Sequence, residues 1–244
     1  MRAVILAAGI ASRLRPLTDH CPKCLLRIGP RPLLARTVDA LLAAGIREFT
    51  VVTGYLHEQI ENYLQTHYAG RADISFIHNE RYASTNNIYS LYLACRDIAG
   101  RPAMLLDSDI LFDPQIIVRL LASDRPDVLA LNSHALGEEE MKVVTDASGR
   151  VTAISKTCDI RAAAGESIGI ERMSAAYTAA LAQCLAEMME EGLDNVFYEQ
   201  AFERLIVRGL SFAAEDVSDL FSMELDTVDD FRAAGEQIPP SLYD

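Results

Sequence analysis

The chain has 244 residues, half of them hydrophobic and 23% charged: enough apolar material for one large α/β core, and too much for a disordered chain. Its formal net charge of −13 works against a general nucleic-acid or anionic-membrane binder. Residues 1–35 run the other way, with Arg2, Arg13, Arg15, Lys23, Arg27 and Arg31 against Asp19 alone, so a local anion site is expected there.

Strands and helices alternate from the start. RAVILAA (2–8) is a short continuous apolar run ending at Gly9, the pattern of a strand buried on both faces. It is too short to span a membrane. With an odd number of cysteines, five, and no signal peptide, it points to a reducing cytoplasm. PLLARTVDALLAAG (32–45) has helical spacing, with proline at its start and glycine past its end. EFTVVTG (48–54) predicts a strand, HEQIENYLQTHY (57–68) a helix, DISFIHN (73–79) a strand and NNIYSLYLACRDI (86–98) a helix. PAMLLDSDILF (102–112) begins as an apolar strand and turns acidic. MKVVTDASGRVTAISK (141–156) predicts a hairpin turning at DASG, and ESIGIERMS (166–174) a further strand. Helices at about 175–191 and 196–208, a short strand SFAAEDV and a last helix TVDDFRAAGEQI complete the chain. No repeat or low-complexity linker divides it, so residues 1–244 read as one domain.

This rhythm predicts a parallel sheet with right-handed crossovers. Ligands on such sheets bind beyond the carboxyl ends of the strands. Gly9 to Arg15, Gly54-Tyr55, His78 to Asn87 and Asp107 to Asp109 all fall there, which points to one shared site.

The first cluster is LAAGIASRLRPLT (6–18), followed by PKCLLRIG (22–29). After Leu6 the strand opens into a small-residue loop, Ala7-Ala8-Gly9-Ile10-Ala11-Ser12, whose amides can approach phosphate oxygens closely. Arg13 offers a planar fork and Lys23 a mobile point charge. Taken alone, this is equally a tight turn with solvated arginines. Neither G-K-[ST] nor G-x-G-x-x-G is present. Cys21 and Cys24 frame Lys23 as C-x-x-C, but there is no second such pair and His20 lacks zinc spacing. Elsewhere, Thr85 and Asn86 read as a helix cap, Asp107 and Asp109 as a solvated turn or a hard-cation site, Asp226 as a helix cap, and Lys156 as a surface lysine.

The pattern L-A-A-G-x-x-S-R-L-x-P-L-T followed by P-K-x-L-L resembles the signature of nucleotidyltransferases that make activated sugars and phospho-alcohols. Ala11 stands where most relatives have glycine, and Ser108 where they have glycine before the metal aspartate. TNNIYSLY (85–92) resembles the phosphocholine cytidylyltransferase-like branch. The resemblance implies a doubly wound, mostly parallel Rossmann-like α/β sheet with a small hairpin and helical acceptor-binding extension. About 1–135 would form the nucleotide half and about 136–244 the acceptor half. It makes Lys23, rather than its flanking cysteines, the functional residue of that stretch. It implies that Arg13 and Lys23 are catalytic and that Leu6, Ala7, Ala8, Gly9, Ser12, Arg13, Gly54, Tyr82, Thr85 and Asn86 bind nucleotide. Asn87, Lys156, Glu171, Asp194 and Glu199 would meet the acceptor, although surface charge explains Asp194 and Glu199 equally well. Asp109 and Asp226, the latter in MELDTVDDF (223–231), would hold Mg2+.

The expected activity is transfer of CMP from CTP to a small phospho-alcohol or phosphonate such as phosphocholine, phosphoethanolamine or aminoethylphosphonate, with release of pyrophosphate. Such products feed cell-surface precursor biosynthesis. A sugar-1-phosphate nucleotidyltransferase is the nearest rival, and a non-catalytic nucleotide-binding regulatory protein the reading from another class. With no tryptophan in the chain, a cage for quaternary ammonium would have to come from Tyr82, Tyr89, Phe112, Phe197 or Tyr198.

Overall fold

Val4 and Leu6 pack into one apolar cluster, while Ala3, Ile5 and Ala7 pack into another on the opposite side of the same strand. That two-residue alternation places the first strand between two cores, which is why it is apolar throughout. The computed structural model describes residues 1–243. In chain order the first half holds β1 (Arg2–Ala7), one-turn 3-10 helices at Ser12–Leu14 and Lys23–Leu25, and the short strands β2 (Arg27–Ile28) and β3 (Arg31–Pro32). Next come α1 (Leu33–Ala43), β4 (Glu48–Thr53), α2 (His57–Tyr68), β5 (Asp73–His78), α3 (Asn87–Ile98), β6 (Ala103–Asp107) and β7 (Ile110–Phe112). The second half holds α4 (Gln115–Ala122), β8 (Val128–Asn132), β9 (Lys142–Thr145), β10 (Val151–Ser155), β11 (Gly165–Met173) and α5 (Ala175–Glu190). It closes with α6 (Glu199–Val207), β12 (Ala213–Asp216), β13 (Ser222–Glu224), α7 (Val228–Gln237) and α8 (Pro240–Tyr243).

Nine strands form one sheet in the order β10-β9-β11-β6-β1-β4-β5, with β8 on the other edge of β11 and β12 beyond it. The pairs β6-β1, β1-β4, β4-β5 and β8-β12 are parallel, as predicted for βα repeats. The second half departs from that rule. β11 runs antiparallel to β6, β8 and β9, and β10 runs antiparallel to β9. Seven of the nine strands therefore share one direction, and the sheet is mostly parallel.

The elements predicted in the first half occur within a residue or two of their expected bounds. α4 and β8 are additional to the expected elements, and each is short. The run 102–112 is two strands, broken at Ser108-Asp109. β7 leaves the main sheet there and pairs with β13.

Candidate active site

The carboxyl ends of β1 and β6 and the opening turn of β11 frame a cavity of about 370 Å3. Leu6, Ala7, Gly9, Ala11 and Arg13 form one wall, and Lys23 sits beneath it. Ala11 adopts the left-handed conformation, with φ at +51°. Glycine reaches that conformation without cost, and alanine pays about 1 kcal/mol for it. Thr18 Oγ1 donates to the Ala11 carbonyl at 3.0 Å and the Leu14 amide to the same oxygen at 3.1 Å, so the loop keeps its turn with alanine in place.

Two segments far apart in sequence deliver the acidic centre. The register of β13 on β7 pairs Glu224 with Ile110, and the Leu225 amide donates to the Asp109 carbonyl at 3.1 Å. The residues just outside that ladder, Asp109 and Asp226, are thereby brought side by side. Lys23 Nζ donates to Asp109 Oδ2 at 2.8 Å and to Asp226 Oδ1 at 2.7 Å. Arg13 also pairs with Asp226. Burial works against the charge on Lys23, but the two aspartates outweigh it and raise its pKa. Burial likewise pushes Asp226 up, and Lys23 with Arg13 more than reverse this, holding it below the usual carboxylate range.

Glu224, which sequence reasoning did not single out, faces the same space. Burial first, then repulsion from Asp109, Glu166 and Asp226, pushes its carboxyl up to about 8. Asp107 is raised well above its usual value by burial and by Asp109, Glu199 and Glu171. Its Oδ2 accepts a hydrogen bond from the Tyr198 hydroxyl at 3.0 Å. Gly169, at φ +69°, leaves room for that carboxylate: a Cβ there would lie 2.7 Å from Asp107 Oδ2. It sits where the β11 register on β8 slips between Ser167 and Glu171.

An adjoining cavity of about 560 Å3 shares Arg13, Glu139, Lys156, Glu166, Glu224 and Asp226 with the first. His134 lines it and meets Glu166 Oε2 at 2.7 Å. Lys156 Nζ lies 5.0 Å from the centroid of the Phe197 ring and 3.5 Å from Glu139. Glu166, His134 and Glu139 belong to no motif, and Glu224 opens the segment that carries Asp226; β11 on β8 and β9, and β13 on β7, bring the four to one cavity.

Of the residues that the resemblance assigns to nucleotide, acceptor or metal, Leu6, Ala7, Gly9, Arg13, Lys23, Asn86, Asn87, Asp109, Lys156, Glu199 and Asp226 line the first cavity. The others lie behind or beside it. Gly54 is pressed against the loop, with a Cβ there lying 2.6 Å from the Ala8 carbonyl and 2.7 Å from Tyr82 Cβ, so Ala8, Gly54 and Tyr82 support the wall. Ser12 opens the 3-10 turn, and Thr85 Oγ1 donates to the Arg81 carbonyl at 2.9 Å. Asp194 is engaged by Arg81 at 2.5 Å, and its carbonyl accepts the Asn86 amide at 3.1 Å. Glu171 is fully buried beneath the floor. Asn86 caps α3, while Asn87 Oδ1 accepts the Tyr198 amide at 2.9 Å and fixes the start of α6 against the cavity.

The C-x-x-C pair has a different character. Cys24 is buried, which pushes its thiol up to about 12; burial raises Cys21 too, and both are free. Neither is poised as a thiolate nucleophile or ligand. No helix among the described residues is long and apolar enough to cross a membrane.

The profile of the MobA-like NTP transferase domain matches residues 3–201. Among curated relatives, the choline-phosphate cytidylyltransferase of Streptococcus pneumoniae is 38% identical over 109 residues, 45% of this chain and 44% of that one. CMP-5'-(3-aminopropyl)phosphonate synthase of Streptomyces rubellomurinus is 30% identical over 253 residues, 98% of this chain and 39% of that one. The match thus spans less than half the length of either relative. The solved structure of CTP:phosphocholine cytidylyltransferase from Streptococcus pneumoniae superposes with a TM-score of 0.77 at 24% identity, covering 98% of this chain and 99% of that one. The two share a fold.

Proposed function

The chain belongs to the MobA-like NTP transferase family, and from that premise we propose that it is a cytidylyltransferase, joining the CMP part of CTP to a small phosphorylated or phosphonate acceptor with release of pyrophosphate. The observation that carries the reading is the convergence of Asp109 and Asp226 on Lys23, beside a small-residue loop bearing Arg13. The names of the relatives, cytidylyltransferase and CMP-phosphonate synthase, support CTP and such an acceptor.

The chemistry needs position and charge more than a base. An acceptor phosphate or phosphonate oxygen is already anionic near neutral pH, so it can attack the α-phosphorus directly while the bond to pyrophosphate breaks. Lys23, kept charged by its two aspartates, offsets charge on the transferring phosphoryl group. Arg13 and the amides of the loop from Ala7 to Ser12 hold the leaving pyrophosphate. Asp109 and Asp226 suit Mg2+: they are hard carboxylate donors gathered around one positive charge, and this ion takes few protein ligands and fills the rest with phosphate and water. When bound, the ion would draw charge from the α-phosphate. Lys156 lines both cavities, which supports a role for it at the acceptor's anionic end.

The test is pyrophosphate release by the purified chain with Mg2+, using each of four nucleoside triphosphates and a panel of acceptors. The panel holds phosphocholine, phosphoethanolamine, aminoethylphosphonate, inositol-1-phosphate and glucose-1-phosphate. Turnover is expected with CTP and an amino-phospho acceptor. Turnover with UTP or dTTP and glucose-1-phosphate would replace this reading with a sugar nucleotidyltransferase, and CTP binding without turnover of any acceptor would replace it with a nucleotide-binding protein.

A further inference from the structure

Glu199, the first residue of α6, lines the first cavity yet is only 7% exposed. Its Oε2 has no hydrogen-bond partner. Glu171, in β11 beneath it, is fully buried; Ser167 Oγ donates to its Oε1 at 3.3 Å, and its Oε2 is also without a partner. Asp107 adds a third carboxylate, whose one side-chain donor is Tyr198. Glu199 is near enough to Glu171 to act on it, and among the described residues neither forms an ion pair. Lys156, the cation that acts on Glu199, already faces Glu139 and the Phe197 ring. A buried acceptor oxygen without a donor is costly, and a buried carboxylate more so, unless something supplies N–H bonds and positive charge.

We infer that the acceptor supplies them: it carries a primary ammonium group, and Glu199 Oε2 at the floor of the cavity receives one of its N–H bonds. This rests on reading the cleft as the site of nucleotidyl transfer. A quaternary ammonium does not suit the position. Such a group has no N–H to give and is held by several aromatic faces. Phe197 is the one aromatic side chain lining the cavity, and Lys156 already lies over its ring. Tyr198 is fully buried, with its hydroxyl on Asp107 and its ring against Phe202 at 5.3 Å. Tyr89 carries Arg81 over its ring at 4.8 Å. Burial lifts Glu199 to about 7, so an arriving ammonium meets a carboxyl whose ionised form it stabilises. This sets the chain apart from a choline-phosphate enzyme in the one feature that distinguishes the substrates.

The experiment is calorimetric titration of the whole chain, loaded with Mg2+ and a non-hydrolysable α,β-methylene analogue of CTP. The ligands are phosphoethanolamine, its mono- and dimethyl forms, phosphocholine and ethyl phosphate. Affinity is expected to fall with methylation, with the steepest drop at the last N–H. Phosphocholine and ethyl phosphate should bind ~10-fold or more weakly than phosphoethanolamine, the scale of one charge-assisted hydrogen bond. Glu199→Gln should lose ~10-fold for phosphoethanolamine and most of the preference over phosphocholine, with the affinity for the CTP analogue reporting that the variant is folded. Equal binding of phosphocholine or ethyl phosphate by the wild type, or no binding of any amine, would overturn the inference. Amine preference without any pyrophosphate release from CTP would leave it standing and remove the proposed reaction. Turnover that favours phosphocholine would do the reverse.

Discussion

Lys23 and Glu171 show opposite outcomes of burying a charge. Lys23 is buried against two carboxylates, and its charged form is favoured. Glu171 is buried with half its carboxylate unpartnered, and its pKa is raised well above the usual 4.5, by burial and then by Glu199. A carboxyl with a raised folded pKa binds more protons in the native than in the unfolded state, so its contribution to stability falls as pH rises above 4.5. Glu171→Gln removes that slope while keeping the Ser167 contact. The variant is expected to gain stability relative to the wild type between pH 5 and pH 8, measured by urea denaturation at both. An unchanged difference across the two pH values would show that Glu171 is not protonated in the fold. At this scale the sequence was informative where residues cluster in one motif, as Arg13 and Lys23 do. Glu199 was indistinguishable from helix-surface charge. Its burial depends on Asn87 holding the Tyr198 amide across 111 positions of chain, and no local pattern encodes that.

Among the elements, those with strong periodicity were legible: β1, α1, β4, α2, β5 and α3 follow directly from apolar spacing and their Gly and Pro boundaries. α4 and β8 were not: α4 buries Ile116, Ile117 and Leu120 on one face but is only eight residues long, shorter than α1, α2 and α3, and β8 has five residues. The slip in β11 was invisible for another reason. A glycine within a strand pattern admits several explanations, and only the partner strands reveal which applies. Here Gly169 combines φ +69° with a 2.7 Å approach to Asp107 Oδ2. Gly169→Ala is expected to destabilise by about 1–3 kcal/mol, the range for a non-glycine residue held in such a conformation, read as a lower urea midpoint. A midpoint equal to that of the wild type would mean that β11 can relax and that the carboxylate beneath it is not fixed.

For the whole molecule, composition and alternation were enough to expect a mostly parallel α/β sheet, because many short repeats vote for the same architecture. The antiparallel run of β11 and β10 was not visible, since strand direction in the second half is set by long-range pairing. Nor did the net charge of −13 disclose how it is used. Three basic side chains of the first cavity, Arg13, Lys23 and Lys156, face seven carboxylates: Asp107, Asp109, Glu139, Glu166, Glu199, Glu224 and Asp226. The positive group is split, with Arg13 and Lys23 from the amino-terminal half and Lys156 from the hairpin opposite. An acidic cleft with cations at two points suits a substrate carrying anions at those points and a cation elsewhere. The most direct test of transfer at this centre follows CTP labelled at the α-phosphate, with Mg2+ and phosphoethanolamine, in the wild type and in Lys23→Ala. Label is expected in a CMP-acceptor product, formed ~10²-fold or more slowly by the variant. Label remaining in CTP or in free CMP, or near-equal rates for the two proteins, would contradict transfer at this centre.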